Sequence, residues 1–490
     1  LMRTDNEFSL PIADLVIGEH HLTRASGGIY KHCFPGNGEV QAEVPLAGFK
    51  EVDMAVKEAK RALVSWRNTP PSLRRDMLFR LADAVEANAE KFAWIGAREV
   101  GSPISGVKFI PEKFSAWTKY AAGWADKIEG RVISTHRDDN AFDFTVHEPF
   151  GVIGMILTWN GPLMALAMKL GPALATGNTV VLKPPEVSPF TASYLIKLAE
   201  EAGIPSGVIN LVTGGAQVGE ALVSHPDVDK IAFTGGTATA SKIATKIGPL
   251  LKPAMYELGG KSANLIFADA NMDMAIKYSA RQPFFLAGQG CILPTRILVE
   301  ESICIDFTER LIKEVESIRV GDPMCSETEF GPVISKHAQN RLLKKIDEFK
   351  SDGQGCLTSG GGIPDSTDPN GYFVEPTVFT DVKPNSPLAQ DECFGPIIAI
   401  SCFKDEKQAV AMANSTRYGL GAYIQSSNLS RSLRLSNQLC AGGVFVNGAP
   451  TARENAPFGG LNSSGFGREG GRDGLQEFLR VKNVAIASAS

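Results

Sequence analysis

Apolar residues recur along this chain at two periods, and the organisation changes where the period changes. Residues 51–68, EVDMAVKEAKRALVSWRN, carry apolar positions three and four apart. So do residues 74–98, with Met77, Leu78, Leu81, Ala84 and Val85 on one stripe. Both predict amphipathic helices, and a third is predicted over 111–127. Residues 130–148, GRVISTHRDDNAFDFTVHE, are polar and alternating and predict a β-hairpin. From 151 the apolar runs GVIGMILT, NTVVLKP, VINLVTG and KIAFTG alternate with the helical stretches MALAMKLGPALA, TASYLIKLAEEAG, AQVGEALVSH and ATASKIATKIG. Short, wholly apolar strands between helices predict parallel βαβ units covered on both faces, hence a doubly wound nucleotide-binding sheet.

A second α/β series follows: SANLIFA and RILVEE read as strands, DMAIKYSARQPFF and SICIDFTERLIKEVESI as helices. The Gly- and Asp-rich stretch 351–370 reads as surface loop, and LRVKNVAIAS as a β-like tail. The predicted fold class is therefore α/β: a doubly wound parallel-sheet dinucleotide-binding domain, a second α/β catalytic domain and a small β element. With 490 residues the chain is too long for one core. Its expected division is 1–129 with 149–257, then 258–473, with 130–148 and 474–490 forming an oligomerisation element. An apolar β-like tail leaves an open edge that another subunit would cover.

Composition narrows the partners. The chain is 43% hydrophobic and 21% charged, with net charge −5, which argues against nucleic acid or an anionic membrane surface. No run approaches the length of a membrane span. The N-terminal LMRTDNEFSLPIADLVIG lacks the pattern of a signal peptide. The eight cysteines form no C-x-x-C pair and read as free thiols of a cytoplasmic protein. The seven histidines have no ligand spacing, so no metal site is expected, and they read as surface or cap residues.

Four segments stand apart: TWNGP at 158–162, KPPE at 183–186, ELGGKS at 257–262 and GQGC at 288–291. Singly, each reads as a turn, a cap or a loop with a buried thiol. In this order, and with TGG at 234–236, ECFGP at 392–396 and PFGG at 457–460, the set resembles the aldehyde dehydrogenase superfamily of the hydrolytic, non-acylating type over essentially the whole chain. The resemblance implies NAD-dependent oxidation of an aldehyde to its acid. Cys291 would attack as thiolate, after two glycines that permit close approach. The Asn160 amide and the Cys291 N–H would hold the oxyanion. Glu257 would activate the water that releases the acid. Thr234, Gly235 and Gly236 match the turn facing the pyrophosphate. A glycine is usual five residues after Gly235, and here that residue is Ala240. Lys183 and Glu186 match the holders of the adenosine ribose, and a carboxylate at 186 would repel a 2′-phosphate, favouring NAD over NADP. Glu392 matches the holder of the nicotinamide ribose, with Phe394 beside it, and Trp159 is placed with the cofactor residues.

The departures from the family lie in the tunnel walls. Gly161 stands where Phe is common, Ala165 where a longer chain is usual, Met168 where Trp is frequent, and Leu286 where Asn is usual. With Met164 and Phe458, and with Leu163 and Ile292 as further liners, these residues imply a wide apolar tunnel for a bulky, apolar or aromatic aldehyde. The alternative is that Trp117 or Phe284 swings in to refill the space. Only Arg453 and Glu454 bring charge near the mouth. A homodimer or homotetramer is implied. Rival readings are a CoA-acylating relative, which would not need Glu257, a catalytically silent structural relative, and a cysteine hydrolase, for which no histidine partner is evident.

Overall fold

Five largely apolar, almost wholly buried strands set the architecture because each must be covered on both faces. In the computed structural model, which describes residues 8–134 and 141–487, they lie side by side and parallel. Their order is Ala254–Glu257, Lys230–Thr234, Val152–Ile156, Thr179–Lys183, Ile209–Leu211. The N-terminal strands Leu15–Ile17 and His20–Leu22 extend this sheet antiparallel beyond Ile209–Leu211, and Gly465–Phe466 closes its other edge. The helices Phe49–Trp66, Pro162–Ala175 and Phe190–Glu201 pack on it. Trp66, Leu174 and Leu195 are fully buried among them. The helix start at Phe190 is fixed by Glu99, a fully buried carboxylate that accepts from the N–H of Phe190 and from the N–H and hydroxyl of Thr191.

The second sheet runs Cys356–Ser359, Thr377–Thr380, Ile397–Phe403, Arg296–Glu300, Ala263–Ile266, Gly421–Gln425, Gly443–Val446, parallel except for its first pair. The chain passes from one sheet to the other between Glu257 and Ala263. It later returns: Gly465–Phe466, inside the span expected to be catalytic, pairs with Ala254–Glu257 of the first sheet. A third sheet joins hairpin and tail, with Leu479–Ala487 antiparallel to Ala141–Pro149 and Val132–Ile133 on the far side. It leaves Val132, Phe142, Val481 and Ile486 half or more exposed. Residues 135–140 of the expected hairpin, the first seven residues and 488–490 lie outside the described residues.

Several local expectations are corrected. The helix over 74–98 is two, Pro71–Ala87 and Ala89–Val100. The break is Asn88, whose amide donates to the Ala84 carbonyl and accepts from the Tyr194 hydroxyl, competing with the backbone ladder. The predicted loop 351–370 contains the strand Cys356–Ser359, an edge strand whose brevity among glycines hid it. His32 is buried, not a surface residue. Its Nε2 lies 3.1 Å from the Val187 carbonyl, and burial pushes its pKa down to about 4. The thiols are not all free: Cys304 and Cys402 form a disulfide with a Cα–Cα separation of 6.2 Å. The pairing is a product of the sheet. Cys402 sits opposite Val299 in adjacent parallel strands, and a short turn after Glu300 brings Cys304 over it.

Titration of the denatured, unreduced protein with a thiol reagent should therefore label six of the eight cysteines, with all eight labelled only after reduction. Eight thiols before reduction would contradict the bridge.

Candidate active site

The carboxyl ends of parallel strands are where an α/β sheet presents its chemistry. Glu257 is the last residue of its strand, in register with Thr234 of the next. Asn160 lies in the turn between Val152–Ile156 and the helix Pro162–Ala175. Cys291 arrives from the other domain, after the helix Met272–Arg281, which ends earlier than expected and gives way to an irregular turn.

That turn is strained. Leu286 and Ala287 both adopt the left-handed region, with φ of 52° and 54°, a conformation that costs a non-glycine residue about 1–2 kcal/mol. Gly288 follows at φ 72°, where a Cβ would stand 2.3 Å from the Gly395 backbone. Gln289, 3% exposed, braces the turn. Its Nε2 donates to the Leu286 carbonyl at 3.0 Å, and its Oε1 accepts from the Ile334 N–H at 3.0 Å. Its carbonyl accepts from Asn160 Nδ2 at 2.8 Å. The Thr158 hydroxyl donates to Asn160 Oδ1 at 2.8 Å, which fixes the amide so that its second N–H remains for a ligand.

Burial dominates the electrostatics. It pushes the Cys291 thiol up to about 12, and the nearby Glu257 and Glu392 carboxylates add to the rise. Glu257 is raised chiefly by burial, against the pull of Lys169, Arg468 and the Gly460 N–H. Among the described residues neither oxygen of Glu257 completes a hydrogen bond, the Gly460 N–H pulling on it without meeting that geometry. Lys169, wholly buried, is lowered by desolvation and pairs with Glu469, 3% exposed. The pair borders the same cavity as Cys291 and Glu257. A thiol this reluctant to ionise needs a proton acceptor at hand, and the unpartnered Glu257 is one.

The residues expected to hold the cofactor fall into two groups. Lys183 is buried, its pKa pushed down to about 8 by desolvation, with Glu186 opposing the shift. Glu186 approaches Gly215, where a Cβ would stand 3.4 Å from its Oε1. Thr234 and the glycines 235–236 lead directly into the helix Thr237–Ile247. Ala240, in the first turn of this helix, is buried in the cluster that also holds Ile243. Beyond it, Glu392 Oε1 accepts from the Gly260 N–H at 3.0 Å. A Cβ on Gly259 would collide with the same carboxylate, 2.0 Å from Oε2. Trp159 and Phe394 meet edge to face with centroids 5.5 Å apart. Two carboxylates at either end, a helix N-terminus between them and glycines that keep the surface open fit an extended dinucleotide.

A cavity of about 270 Å³ lies over Cys291. Gly161, Met164, Ala165, Met168 and Phe458 all line it, as do Leu163, Leu286 and Ile292. A Cβ at Gly161 would meet only the Met164 Cβ, at 4.0 Å. Trp117 and Phe284 do not refill the space. Neither is in its lining, and both are buried, Trp117 in the cluster that also holds Leu163, Ala165 and Met168, and Phe284 against Phe330. Arg453 lines an adjoining cavity of about 140 Å³ that shares Ile292, Thr451 and Phe458 with the first, whereas Glu454 lines neither. The sequence reading missed Lys169, Glu469, Gln289, Gly96 and Ala452, all but Gln289 in the cavity lining. Only Lys169 left a signal, a lone charge inside the apolar stretch MALAMKLGPALA.

Residues 22–484 match the model of the aldehyde dehydrogenase family. An aldehyde dehydrogenase of Alternaria alternata is 40% identical over 484 residues, covering 98% of this chain and 96% of that protein. A mitochondrial aldehyde dehydrogenase of Equus caballus is 41% identical, covering 92% of this chain and 90% of its own. Among solved structures, betaine aldehyde dehydrogenase from Staphylococcus aureus in complex with NAD+ superposes with a TM-score of 0.95 at 32% identity, covering 98% of this chain and 95% of that one. Sequence, fold and the arrangement around Cys291 thus agree, and the chain belongs to the aldehyde dehydrogenase family.

Proposed function

We propose that this enzyme oxidises a bulky, mostly apolar or aromatic aldehyde to its carboxylic acid with NAD. One observation carries the reading: the buried Cys291 and the unpartnered Glu257 carboxylate open onto one apolar cavity. In the reaction the Cys291 sulfur bonds to the aldehyde carbon and its proton passes to Glu257. The Asn160 amide and the Cys291 N–H stabilise the resulting alkoxide, a contribution of about 3–4 kcal/mol per donor in related acyl chemistry. When bound, NAD supplies the acceptor for the hydride that leaves this carbon. The carbonyl re-forms as a thioester on Cys291. Glu257, its proton released, takes one from water as the water attacks, the carbon–sulfur bond breaks and the acid departs. Lys183 and Glu186 would hold the adenosine ribose, the Thr234–Gly236 turn the pyrophosphate, and Glu392, with Trp159 and Phe394 alongside, the nicotinamide ribose. Through the exposed edge and faces of its third sheet the chain would assemble as a homodimer or homotetramer.

Cys291→Ala should abolish NADH production while leaving NAD binding intact, and near-normal turnover would overturn the mechanism. Because the Glu257 pKa is raised, its base form grows as pH rises, so wild-type turnover should climb from pH 6 to 9. Glu257→Gln should flatten that limb and lower steady-state turnover by about 10²–10⁴. Because the Cys291 proton also passes to Glu257, the NADH burst should fall as well; a full burst with slow turnover would confine Glu257 to releasing the acid, and a fully active variant would remove it from the mechanism.

Cofactor choice is tested by KM for NAD and NADP. Wild type should favour NAD, and Glu186→Ser should narrow the gap. Equal use of both by the wild type would refute the repulsion by Glu186.

The width of the tunnel is tested by kcat/KM for acetaldehyde, hexanal, benzaldehyde and a branched ten-carbon aldehyde. At about 0.8 kcal/mol per buried methylene, the large substrates should lead by a hundredfold or more. Gly161→Phe should cost them selectively. A wild type that prefers acetaldehyde would overturn the substrate reading.

A further inference from the structure

The cavity over Cys291 does not end at the helix that follows Asn160. Its lining continues onto the segment that runs from the helix Ala89–Val100 into the short helix Ile104–Val107, with Gly96, Val100, Ser102 and Val107 on its wall. Two glycines leave this path open. A Cβ at Gly161 would meet only Met164, and a Cβ at Gly96 only the Val107 methyl, at 3.9 Å. Of the four residues this segment gives to the wall, Ser102 alone has a polar side chain. Ser102 is 5% exposed, borders the cavity, and its hydroxyl makes no hydrogen bond with another described residue. Another hydroxyl in the lining, that of Thr191, is committed to Glu99 at 2.5 Å. Ser102 is held in place. The preceding Gly101 turns the chain at φ 75°, packed so closely that a Cβ would stand 2.7 Å from Pro332. A hydroxyl on the wall of an apolar cavity offers a donor and an acceptor that a ligand oxygen can engage.

We propose that this inner branch receives the far end of the aldehyde, and that this end carries a hydroxyl, ether or keto oxygen that hydrogen-bonds to Ser102. The substrate class is thereby an oxygenated aromatic or branched apolar aldehyde, with its second oxygen remote from the reacting carbon. The proposal rests on the wide-tunnel reading and adds a direction and a polar terminus to it. A site that hydrogen-bonds a substrate oxygen rejects the analogue lacking it far more strongly than an apolar wall rejects a missing methylene.

The test uses matched pairs that differ only in the remote oxygen: benzaldehyde with its 3- and 4-hydroxy derivatives, and decanal with its terminally hydroxylated counterpart. Wild type should prefer the oxygenated member of at least one pair by about tenfold or more in kcat/KM. Ser102→Ala should lower that member about tenfold more than its plain partner, and Gly96→Val should raise KM for the large members of both kinds. No preference in any pair, or a Ser102→Ala loss equal on both members, would overturn the proposal. Gly161→Phe separates the two readings. If it costs the large substrates selectively while Ser102→Ala does not discriminate, the wide tunnel stands and the polar terminus falls. If it costs them nothing selectively, both fall.

Discussion

Lys169 brings a positive charge into a helix in which every residue from Ala165 to Ala175 is buried, and only its pairing with Glu469 makes that placement tolerable. Removing either partner alone from such a pair typically costs about 3–5 kcal/mol, because the survivor is stranded without water. Here the pair also organises the site. It ties the helix that carries the tunnel wall to the segment that bridges Phe458 with Glu469, so the two sides of the tunnel are set against each other. It also stands close enough to Glu257 to moderate that carboxylate.

Binding and chemistry consequently share one physical cause. The apolar lining that makes room for a large aldehyde also excludes water. Exclusion of water is what raises both Cys291 and Glu257. In the same dry surroundings a hydrogen bond from the Asn160 amide is worth more than it would be in solvent, since little dielectric screening opposes it. Because it is already oriented by Thr158 and Gln289, it needs little reorganisation when charge develops.

The sequence makes the first sheet legible because its strands are buried on both faces and read as unbroken apolar runs. The nucleophile, the base and the cofactor carboxylates are legible for a different reason, as short motifs whose order is informative. What stays hidden is tertiary. Asn88 looks like any helical residue until Tyr194 is placed beside it. Cys304 and Cys402 are 98 residues apart, and no spacing rule joins them. His32 is one histidine among seven, and its burial is decided by the Val187 carbonyl and the Phe190 ring, 4.9 Å away. Gly465–Phe466 is too short to show a strand period and pairs with a strand some 200 residues earlier, so the return of the chain to the first sheet had no local signal. Lys169 is the instructive case. Its oddity was visible in the sequence, but its meaning required Glu469, 300 residues on.

The left-handed turn before the nucleophile carries an implication for how such a tunnel changes over evolutionary time. Leu286 is both a wall of the cavity and a residue at positive φ. Branching at Cβ is poorly tolerated there, so valine, isoleucine and threonine are penalised by the backbone before any substrate is consulted. Leucine, asparagine and glycine remain admissible. Variation at this wall is thus filtered by a dihedral angle that serves the delivery of Cys291, whereas Gly161, at φ −155°, is under no such filter. New specificities should arise more readily on the side of Gly161 than on the side of Leu286.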